Sequence, residues 1–482
     1  MMTEVRAAAG KVRGTTEDGV AVFRGIPFAE PPVGGLRFAA PQPAKGWDGV
    51  RDATRFGPPA PQAGFFGMDT LVQDDDNWLT VNVWSPPGTG LPVMVWIPGG
   101  AYILGMSSLP EYDGARLARE GVVVVTFNYR VGIEGFAQIE GAPANRGLLD
   151  QVAALEWVRD NIDAFGGDPG RVTVFGQSAG GGSVAALLAM PRAKGVFQRA
   201  IAQSVAGTFF TPELAQDIAT ACAAELGRKP TVADLSTVDP NGLSGAGDAV
   251  TAKISQFTDR WGRPAHRTIP FSPVVDGDVL PTTPWQALRK GTARDIDLIV
   301  GHTRDEQRLF TAIEGMVGEV TEEQATAALE IFAPGQYPDA GPEELYELVH
   351  GDWLFRMPSF HLAEAQVSGG GRAYLYELTW SSPTMGGACH GLDVPLVFGN
   401  IDKGQPAMLI NGAPEAETLS ARMRAAWTAF AKNGDPGWPA YDADKRLTQI
   451  FDVQSTVIPY PEEASRLIWQ DHTFAALPLI SR

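Results

Sequence analysis

Ser178 stands alone between glycines in the string Gly176-Gln-Ser-Ala-Gly180. The residues before it, Val172-Thr-Val-Phe175, are typical of a strand, and Ser183-Val-Ala-Ala-Leu-Leu-Ala189 after it is typical of a helix. A sharp strand-to-helix turn strains its apex residue, and flanking glycines avoid the clashes that side chains would cause. The turn also leaves the first amides of the helix pointing at the apex hydroxyl. The pattern predicts a serine nucleophile; the alternative is a glycine-rich connection or phosphate cradle, although no lysine follows as in a Walker motif.

A serine hydroxyl needs a general base, and the usual one is a histidine that a carboxylate orients. His390 is the first choice among six histidines because it lies in a glycine-rich loop, 386–391, after a predicted strand at 373–378. The freedom of such a backbone lets an imidazole project into a cleft. His302 also follows a predicted strand and is the second choice.

The residues alone leave the carboxylate open. Asp305 and Glu306 share one segment after a predicted strand, and Asp150 and Asp393 compete with them. With either Asp305 or Glu306, the chain order is serine, acid, histidine. That order is the one expected of an α/β-hydrolase.

The alkoxide that forms during acyl transfer needs backbone N–H donors, which together are called an oxyanion hole. Gly99-Gly-Ala101 follows a buried apolar run and can supply two such donors, since small residues allow close approach. Ala179, directly after the serine, can supply a third. A plain turn at the glycine pair is the alternative, and the presence of a candidate nucleophile, Ser178, in the same chain argues against it.

Predicted strands alternate with predicted helices, which indicates an α/β fold with a mostly parallel sheet and helices on both faces. In such sheets the site lies beyond the carboxyl ends of the strands, and the candidate serine, the acidic segment 302–306 and His390 all follow predicted strand ends. We predict one catalytic domain over 1–482, with large helical insertions at about 207–295 and 307–370. The predicted strands are 79–84, 91–97, 122–128, 172–175, 200–203, 297–301 and 373–378, with a strand or hairpin at 447–459; the predicted helices are 149–165, 183–189 and 422–433.

Composition excludes several classes of protein. The formal net charge of −18 argues against nucleic acid and anionic membrane surfaces. Only two cysteines, Cys222 and Cys389, are present, too few for a secreted disulfide scaffold. The first ten residues have no apolar signal region, and the longest apolar runs are too short to span a bilayer. We therefore predict a cytoplasmic protein with reduced thiols.

Motifs along nearly the whole chain resemble the type-B carboxylesterases, the family of the cholinesterases and the bacterial para-nitrobenzyl esterases. The segments that carry the resemblance are Phe23-Arg-Gly-Ile-Pro-Phe-Ala-Glu-Pro-Pro32, Leu36-Arg-Phe38, Leu79-Thr-Val-Asn-Val-Trp84, Trp96-Ile-Pro-Gly-Gly-Ala-Tyr102, Asn128-Tyr-Arg-Val-Gly132, Gly147-Leu-Leu-Asp-Gln151, Phe165-Gly-Gly-Asp-Pro169, Phe175-Gly-Gln-Ser-Ala-Gly-Gly181, Pro273-Val-Val-Asp-Gly277, Thr303-Arg-Asp-Glu306 and His390-Gly-Leu-Asp-Val-Pro-Leu-Val-Phe-Gly399.

The resemblance implies an α/β-hydrolase fold that needs neither cofactor nor metal. It assigns the nucleophile to Ser178, the acid to Glu306 and the base to His390, and so selects Glu306 over Asp305. It also implies oxyanion donors at the three residues Gly100, Ala101 and Ala179. Ser204 matches a family position that helps to hold the acid.

Four positions depart from the family pattern. Pro98 stands where His or Tyr usually precedes the glycine pair, so the nearby backbone is fixed differently. Trp78 replaces a cysteine, which removes an expected disulfide. Gln177 replaces the glutamate that cholinesterases place before the serine, which argues against choline esters. Val205 replaces the commoner glycine, and we have no account of that change.

Apolar residues near these motifs are candidates for a substrate pocket. If Glu306 opens a helix, Leu309 and Phe310 lie on its face at i+3 and i+4. The further pocket candidates, for each of which ordinary core packing is an equal alternative, are Phe65, Phe66, Met106, Phe209 and Phe210.

Together these residues predict a serine hydrolase that cleaves small-molecule carboxylic esters through an acyl-enzyme. The nearest alternative is an amidase or thioesterase with the same triad. A non-catalytic, cholinesterase-like interaction module is a different class, and the presence of all three triad residues argues against it.

Overall fold

Apolar runs form the buried centre of one sheet. The computed structural model describes residues 2–62 and 75–481. In the strand Leu91–Ile97, every residue after the first is buried, and Val123–Phe127 is buried throughout. Such continuous burial is typical of parallel strands covered on both faces.

Thirteen strands of the described ranges join in this sheet, in the order β1-β2-β3-β5-β7-β6-β8-β9-β10-β11-β12-β13, with β4 paired to β2. Their bounds are Met2–Ala7 (β1), Gly10–Glu17 (β2), Val20–Pro27 (β3), Val50–Asp52 (β4), Thr80–Ser85 (β5), Leu91–Ile97 (β6), Val123–Phe127 (β7), Gly167–Gln177 (β8), Arg199–Gln203 (β9), Asp297–Thr303 (β10), Arg372–Leu378 (β11), Leu447–Phe451 (β12) and Thr456–Pro459 (β13). The run from β7 to β12 is parallel, whereas β1, β2, β3, β5 and β13 join antiparallel.

The helices connect the parallel strands, and most of them lie in the segments 207–295 and 307–370. The α-helices are Ala115–Arg119 (α1), Gly132–Phe136 (α2), Arg146–Asn161 (α3), Ala179–Ala189 (α4), Pro212–Glu225 (α5), Val232–Leu235 (α6), Pro240–Ala252 (α7), Thr258–Trp261 (α8), Arg263–His266 (α9), Pro284–Arg289 (α10), Arg308–Ile313 (α11), Glu322–Phe332 (α12), Pro342–Gly351 (α13), Met357–Ser368 (α14), Asp393–Phe398 (α15), Ala407–Ile410 (α16), Ala416–Asn433 (α17) and Glu463–Trp469 (α18). A π-helical turn, Asp352–Arg356, joins α13 to α14.

Alternate residues of each central strand enter different cores. Along β6, Val93, Val95 and Ile97 belong to one apolar cluster, while Met94 and Trp96 belong to the other. Because side chains alternate across a strand, each cluster lies on its own face of the sheet. The predicted α/β fold with helices on both faces is confirmed.

Two further features concern the environment of the chain. Within the described residues, no helix is both long and apolar enough to cross a membrane. Cys222 and Cys389 both carry free thiols that are buried in the core, as the sequence predicts.

Candidate active site

Ser178 occupies the apex of a sharp turn between β8 and α4. Its backbone has φ 61° and ψ −125°, a strained conformation for a residue with a side chain. A Cβ on Gly176 would lie 2.6 Å from the carbonyl oxygen of Gly180, and one on Gly180 would collide with the carbonyl oxygen of Ile97. The flanking glycines are therefore required by close packing of the turn, as the sequence predicts.

The loop after β6 packs against this turn. A Cβ on Gly99 would lie 3.2 Å from the Cβ of Ser178. Gly100 has φ 121° and Ala101 has φ 53°. Among the described residues, none accepts a hydrogen bond from the backbone N–H groups of Gly100, Ala101 or Ala179.

His390 lies in the loop after β11, and its two ring nitrogens face different partners. Nδ1 is 2.5 Å from Oε2 of Glu306, and Nε2 is 3.1 Å from the side-chain nitrogen of Gln177. The imidazole therefore lies beside the residue that precedes Ser178. The ring of Phe355 stacks on it, with centroids 4.1 Å apart and planes at 29°.

Glu306 is buried and is held by three donors. Its Oε1 accepts from Ser204 Oγ at 2.6 Å and from the backbone N–H of Thr303 at 2.9 Å, while Oε2 faces His390. Burial raises the pKa of this carboxyl, but the imidazole and the hydrogen bonds outweigh burial and leave the pKa below its ordinary value. An ionised Glu306 places the proton of a neutral His390 on Nδ1.

The competing aspartates have other partners. Asp150 forms a fully buried ion pair with Arg130, with oxygen–nitrogen distances of 2.8 Å. Asp393 accepts hydrogen bonds from Gln203 at 2.8 Å and from the Tyr376 hydroxyl at 2.9 Å. Neither contacts the imidazole directly.

Asp305 directly precedes Glu306, but it forms hydrogen bonds to the backbone of the loop that carries His390. Its N–H donates to the carbonyl oxygen of Ala388 at 2.9 Å, and its Oδ2 accepts from the N–H of Ala388 at 2.7 Å. A Cβ on Gly387 would lie 3.0 Å from the same carboxylate oxygen. Asp305 therefore fastens the loop that carries His390.

His302, the second choice of base, lies at the end of β10 without contacting the serine turn. Its Nε2 is 3.0 Å from the hydroxyl of Tyr460, and its Nδ1 is 3.0 Å from the carbonyl oxygen of Thr303. Burial, together with the nearby charge of Arg356, lowers its pKa to about 4. His302 is thus a neutral core residue at physiological pH.

This buried neutral histidine is expected to make folding sensitive to acid. Between the lowered pKa of His302, about 4, and the ordinary value, near 6.5, unfolded chains bind a proton that folded chains do not. Its contribution to the free energy of unfolding is present above pH 6.5 and is lost as pH falls toward 4, by about 3 kcal/mol. Urea denaturation at pH 7 and pH 4.5 should show a smaller loss of the free energy of unfolding between the two pH values for His302→Gln than for the native chain.

The exposed His266 supplies the control. His266→Gln should remove a smaller part of the pH dependence than His302→Gln, since burial lowers the pKa of the exposed His266 imidazole less than that of the buried one. An identical pH dependence in His302→Gln and the native chain would contradict the assignment.

The predicted pocket residues divide into several groups. Phe310 has its ring centroid 5.3 Å from that of His390, so it lies at the site. Leu309 is half-buried and packs against the apolar cluster that contains Met94 and Trp96. Met106 is buried. Phe209 and Phe210 are fully buried core residues. Phe65 and Phe66 lie outside the described residues.

Sequence reasoning missed Phe355, which stacks on the imidazole from the π-helical turn. No local pattern identifies it, because its contact with His390 is long-range. Gln177 was recognised only as a departure from the family pattern, and its contact with His390 was not predicted. Ser204 was found through the family resemblance, and its hydroxyl contacts Glu306.

The chain is similar to known proteins over nearly its whole length. The family model described as Carboxylesterase family matches residues 2–458. The chain belongs to the carboxylesterase family. It is similar to the para-nitrobenzyl esterase of Bacillus subtilis, with 41% identity over 481 residues that cover 95% of this chain and 96% of that protein. The fumonisin B1 esterase of Sphingopyxis macrogoltabida is 36% identical, over 90% of this chain and 83% of that one.

Solved structures extend the likeness to three dimensions. A para-nitrobenzyl esterase structure superposes with a TM-score of 0.84 at 39% identity, covering 97% of this carboxylesterase and 99% of that chain. A Geobacillus stearothermophilus carboxylesterase superposes with a TM-score of 0.82 at 35% identity, over 97% and 100% of the two chains. The predicted α/β-hydrolase fold and family are confirmed, and this carboxylesterase is a carboxylic ester hydrolase of the serine type. The alternative hypotheses of an amidase, a thioesterase or a non-catalytic interaction module are not favoured.

Proposed function

We propose that this carboxylesterase uses Ser178 as nucleophile, His390 as general base and Glu306 as the carboxylate that orients the imidazole. The observation that carries the assignment is the placement of His390. Its Nδ1 faces the ionised acid at 2.5 Å, and its Nε2 lies 3.1 Å from the side-chain nitrogen of Gln177, the residue before Ser178. Nδ1 therefore holds the proton, and Nε2 has a lone pair that can accept one.

Acylation follows from this arrangement. As Ser178 Oγ attacks the ester carbonyl carbon, its proton passes to Nε2 of His390, and the carbonyl oxygen becomes an oxyanion. The imidazolium, stabilised by Glu306, then gives this proton to the alkoxy oxygen of the ester. The bond from that oxygen to the carbonyl carbon breaks, the alcohol leaves, and the acyl group stays on Ser178 Oγ. A water activated by the same histidine attacks the acyl-enzyme, and the collapse of the second oxyanion releases the acid and regenerates Ser178.

We assign the oxyanion hole to the backbone N–H groups of Gly100, Ala101 and Ala179. Their lack of protein acceptors and the packing of Gly99 against Ser178 support this assignment. The hydroxyl of Tyr129 donates to the carbonyl oxygen of Pro98 at 2.7 Å, which fixes the start of the loop. Preorganised donors stabilise the transition state because they need no reorientation as charge develops.

The proposed substrate class follows from the apolar residues that lie beside the general base, His390. Phe310 is half-buried beside His390, and Phe355 covers the imidazole. We assign Phe310, with Leu309 and Met106 as further candidates, to the wall that receives an apolar part of a small-molecule ester. The name of the Bacillus subtilis relative, a para-nitrobenzyl esterase, favours an aromatic group in that position.

The chain as a whole fits a single catalytic unit over 1–482, with helical insertions at 207–295 and 307–370. One sheet running from β1 to β13 supports this division. Two free buried thiols support a reducing compartment, and we assign the protein to the cytoplasm on that ground.

Phosphonate labelling tests the proposed nucleophile. A fluorophosphonate probe is expected to modify one residue per chain, which peptide mapping should identify as Ser178, because only a serine with an activated hydroxyl reacts rapidly. The Ser178→Ala chain should remain unlabelled. Labelling of another serine at equal stoichiometry would overturn the assignment, and matched ester, thioester and amide substrates would then measure which bond is cleaved fastest.

A further inference from the structure

Gln62 is a buried glutamine whose side-chain amide holds Gly105, the last residue of the loop after β6. This loop, residues 98–105, carries two of the proposed oxyanion donors, and we call it the oxyanion loop. Gln62 is only 4% exposed. Its Oε1 accepts from the backbone N–H of Gly105 at 2.8 Å, and its Nε2 donates to the carbonyl oxygen of Gly105 at 3.1 Å. The amide therefore pairs with both polar backbone groups of Gly105, as a residue of a neighbouring strand would.

A third hydrogen bond fixes the orientation of this amide. Nε2 of Gln62 also donates to the carbonyl oxygen of Ala60, at 3.0 Å. Two carbonyl oxygens thus face the amide nitrogen, and one N–H faces the amide oxygen. Exchange of the two amide atoms would leave all three contacts without a donor and an acceptor, so the partners determine the role of each atom.

Gly105 in turn packs against the residues that open the oxyanion loop. It has φ 134°, and a Cβ there would lie 2.6 Å from the carbonyl oxygen of Gly99. The carbonyl oxygen of Gly100 accepts from the backbone N–H groups of Ile103 at 3.0 Å and Leu104 at 3.1 Å. The loop therefore closes on itself, and a displacement of Gly105 is passed to Gly99 and Gly100.

A second buried amide joins the same two segments of the chain. The side-chain nitrogen of Asn128 donates to the carbonyl oxygen of Pro58 at 2.9 Å, and its Oδ1 accepts from the backbone N–H of Ser107 at 2.8 Å. This bridge lies two residues beyond Gly105 and remains when Gln62 is replaced. The effect of such a replacement should therefore be confined to the oxyanion loop.

We propose that Gln62 is a positioning residue that holds the oxyanion loop in the geometry that stabilises the transition state of ester hydrolysis. This inference rests on the proposed function, because it assumes that the oxyanion binds at Gly100 and Ala101. Backbone donors stabilise an oxyanion best when they are already aimed at it. A displaced loop therefore lowers the rate without weakening the binding of the uncharged ester.

Gln62→Met tests this role, because it keeps the length of the side chain and removes the amide. The kcat for para-nitrophenyl acetate should fall by about 10- to 100-fold, less than the loss of a whole donor, while KM stays within about threefold of native. A trifluoromethyl ketone resembles the transition state, since its carbonyl oxygen becomes an oxyanion when Ser178 adds to the carbonyl carbon. Its affinity should fall by about the same factor as kcat/KM.

Gln366→Met is the matched control. Gln366 is a buried glutamine on α14, and its side-chain nitrogen donates to the carbonyl oxygens of Ala293 at 2.9 Å and Ile296 at 2.7 Å. These two residues precede the amino end of β10, whereas the site lies beyond the carboxyl ends of the strands. The substitution should lower the thermal midpoint, because it leaves buried carbonyls unpaired, and keep kcat and ketone affinity within about twofold of native.

Gly105→Ala displaces the same loop and leaves Gln62 unchanged. Its Cβ would meet the carbonyl oxygen of Gly99, so kcat and ketone affinity should fall together, as in Gln62→Met. Thermal midpoints report folding, and fluorophosphonate titration carried to completion counts the active sites in every variant.

Native kcat and ketone affinity in a folded Gln62→Met chain would overturn the proposal, and so would an equal loss of kcat in Gln366→Met. A fall in kcat without a loss of ketone affinity would overturn it too, because the damage would then lie outside the oxyanion hole. If Gln62→Met does not fold, Gly105→Ala decides, and native ketone affinity in that variant counts against the proposal. Failure of the proposed triad would appear separately, as absence of labelling at Ser178 in the native chain.

Discussion

Replacement of Ser178 by alanine is expected to reduce kcat for para-nitrophenyl acetate by about 10⁵- to 10⁶-fold. The variant loses the only hydroxyl at the apex of the strained turn, so no acyl-enzyme can form. The free amides of Gly100, Ala101 and Ala179 remain, and a residual rate of about 10³ to 10⁴ over uncatalysed hydrolysis is expected from them and from substrate binding. Initial rates at saturating substrate measure the loss.

Ser183 provides a matched control on the same helix. Its hydroxyl accepts from the Gln151 amide at 3.0 Å, so Ser183→Ala should keep kcat within about threefold of native. The thermal midpoints of both variants report folding. A folded Ser178→Ala chain that retains the native kcat would show that another residue performs the attack.

Glu306→Gln is expected to reduce kcat by about 10³- to 10⁴-fold. The carboxylate accepts from Ser204, Thr303 and His390 at once, whereas an amide offers one oxygen and a nitrogen that donates. If that nitrogen faces His390, the ring must accept at Nδ1 and carry its proton on Nε2. The serine then faces an N–H in place of a lone pair, and general-base catalysis is lost. Stopped assays at several pH values measure the rate.

Two variants check the choice of acid. Glu314→Gln changes an exposed glutamate just beyond α11 and should keep native kcat. Asp305→Asn changes the carboxylate that fastens the histidine loop, so a smaller loss than in Glu306→Gln is expected. The assignment fails if Asp305→Asn loses the larger share of kcat while Glu306→Gln remains active.

The strands of the sheet could largely be predicted, because short continuous apolar runs in a chain of this length are typical of buried strands. β6 has the predicted bounds Leu91–Ile97, and the predicted hairpin at the tail is the pair β12 and β13. The helix predicted from 422 begins at Ala416 instead. Its N-cap residue, Glu415, makes no side-chain capping hydrogen bond, so the sequence carries no start signal there.

The site was predictable to the extent that it follows strand ends. Ser178 and His390 could be selected from their glycine-rich contexts, because those contexts encode local backbone geometry. Glu306 could not be separated from Asp305 in this way, since adjacent residues share the same local pattern and differ only in which distant group each side chain meets. The stacking of Phe355 on the imidazole could not be predicted for the same reason, because it joins residues that are distant along the chain.

The groups that meet at the site follow β8, β10 and β11, and Glu306 is 84 positions from His390 along the chain. Adjacent parallel strands are joined here only through long helical crossovers, so contacts between distant parts of the chain are required before the groups can meet. A nascent chain that has not yet been synthesised as far as His390, in the loop after β11, therefore has a serine but no base. The order of synthesis therefore delays reactivity, because the growing polypeptide cannot assemble the triad until its C-terminal part, from His390 onward, has been made.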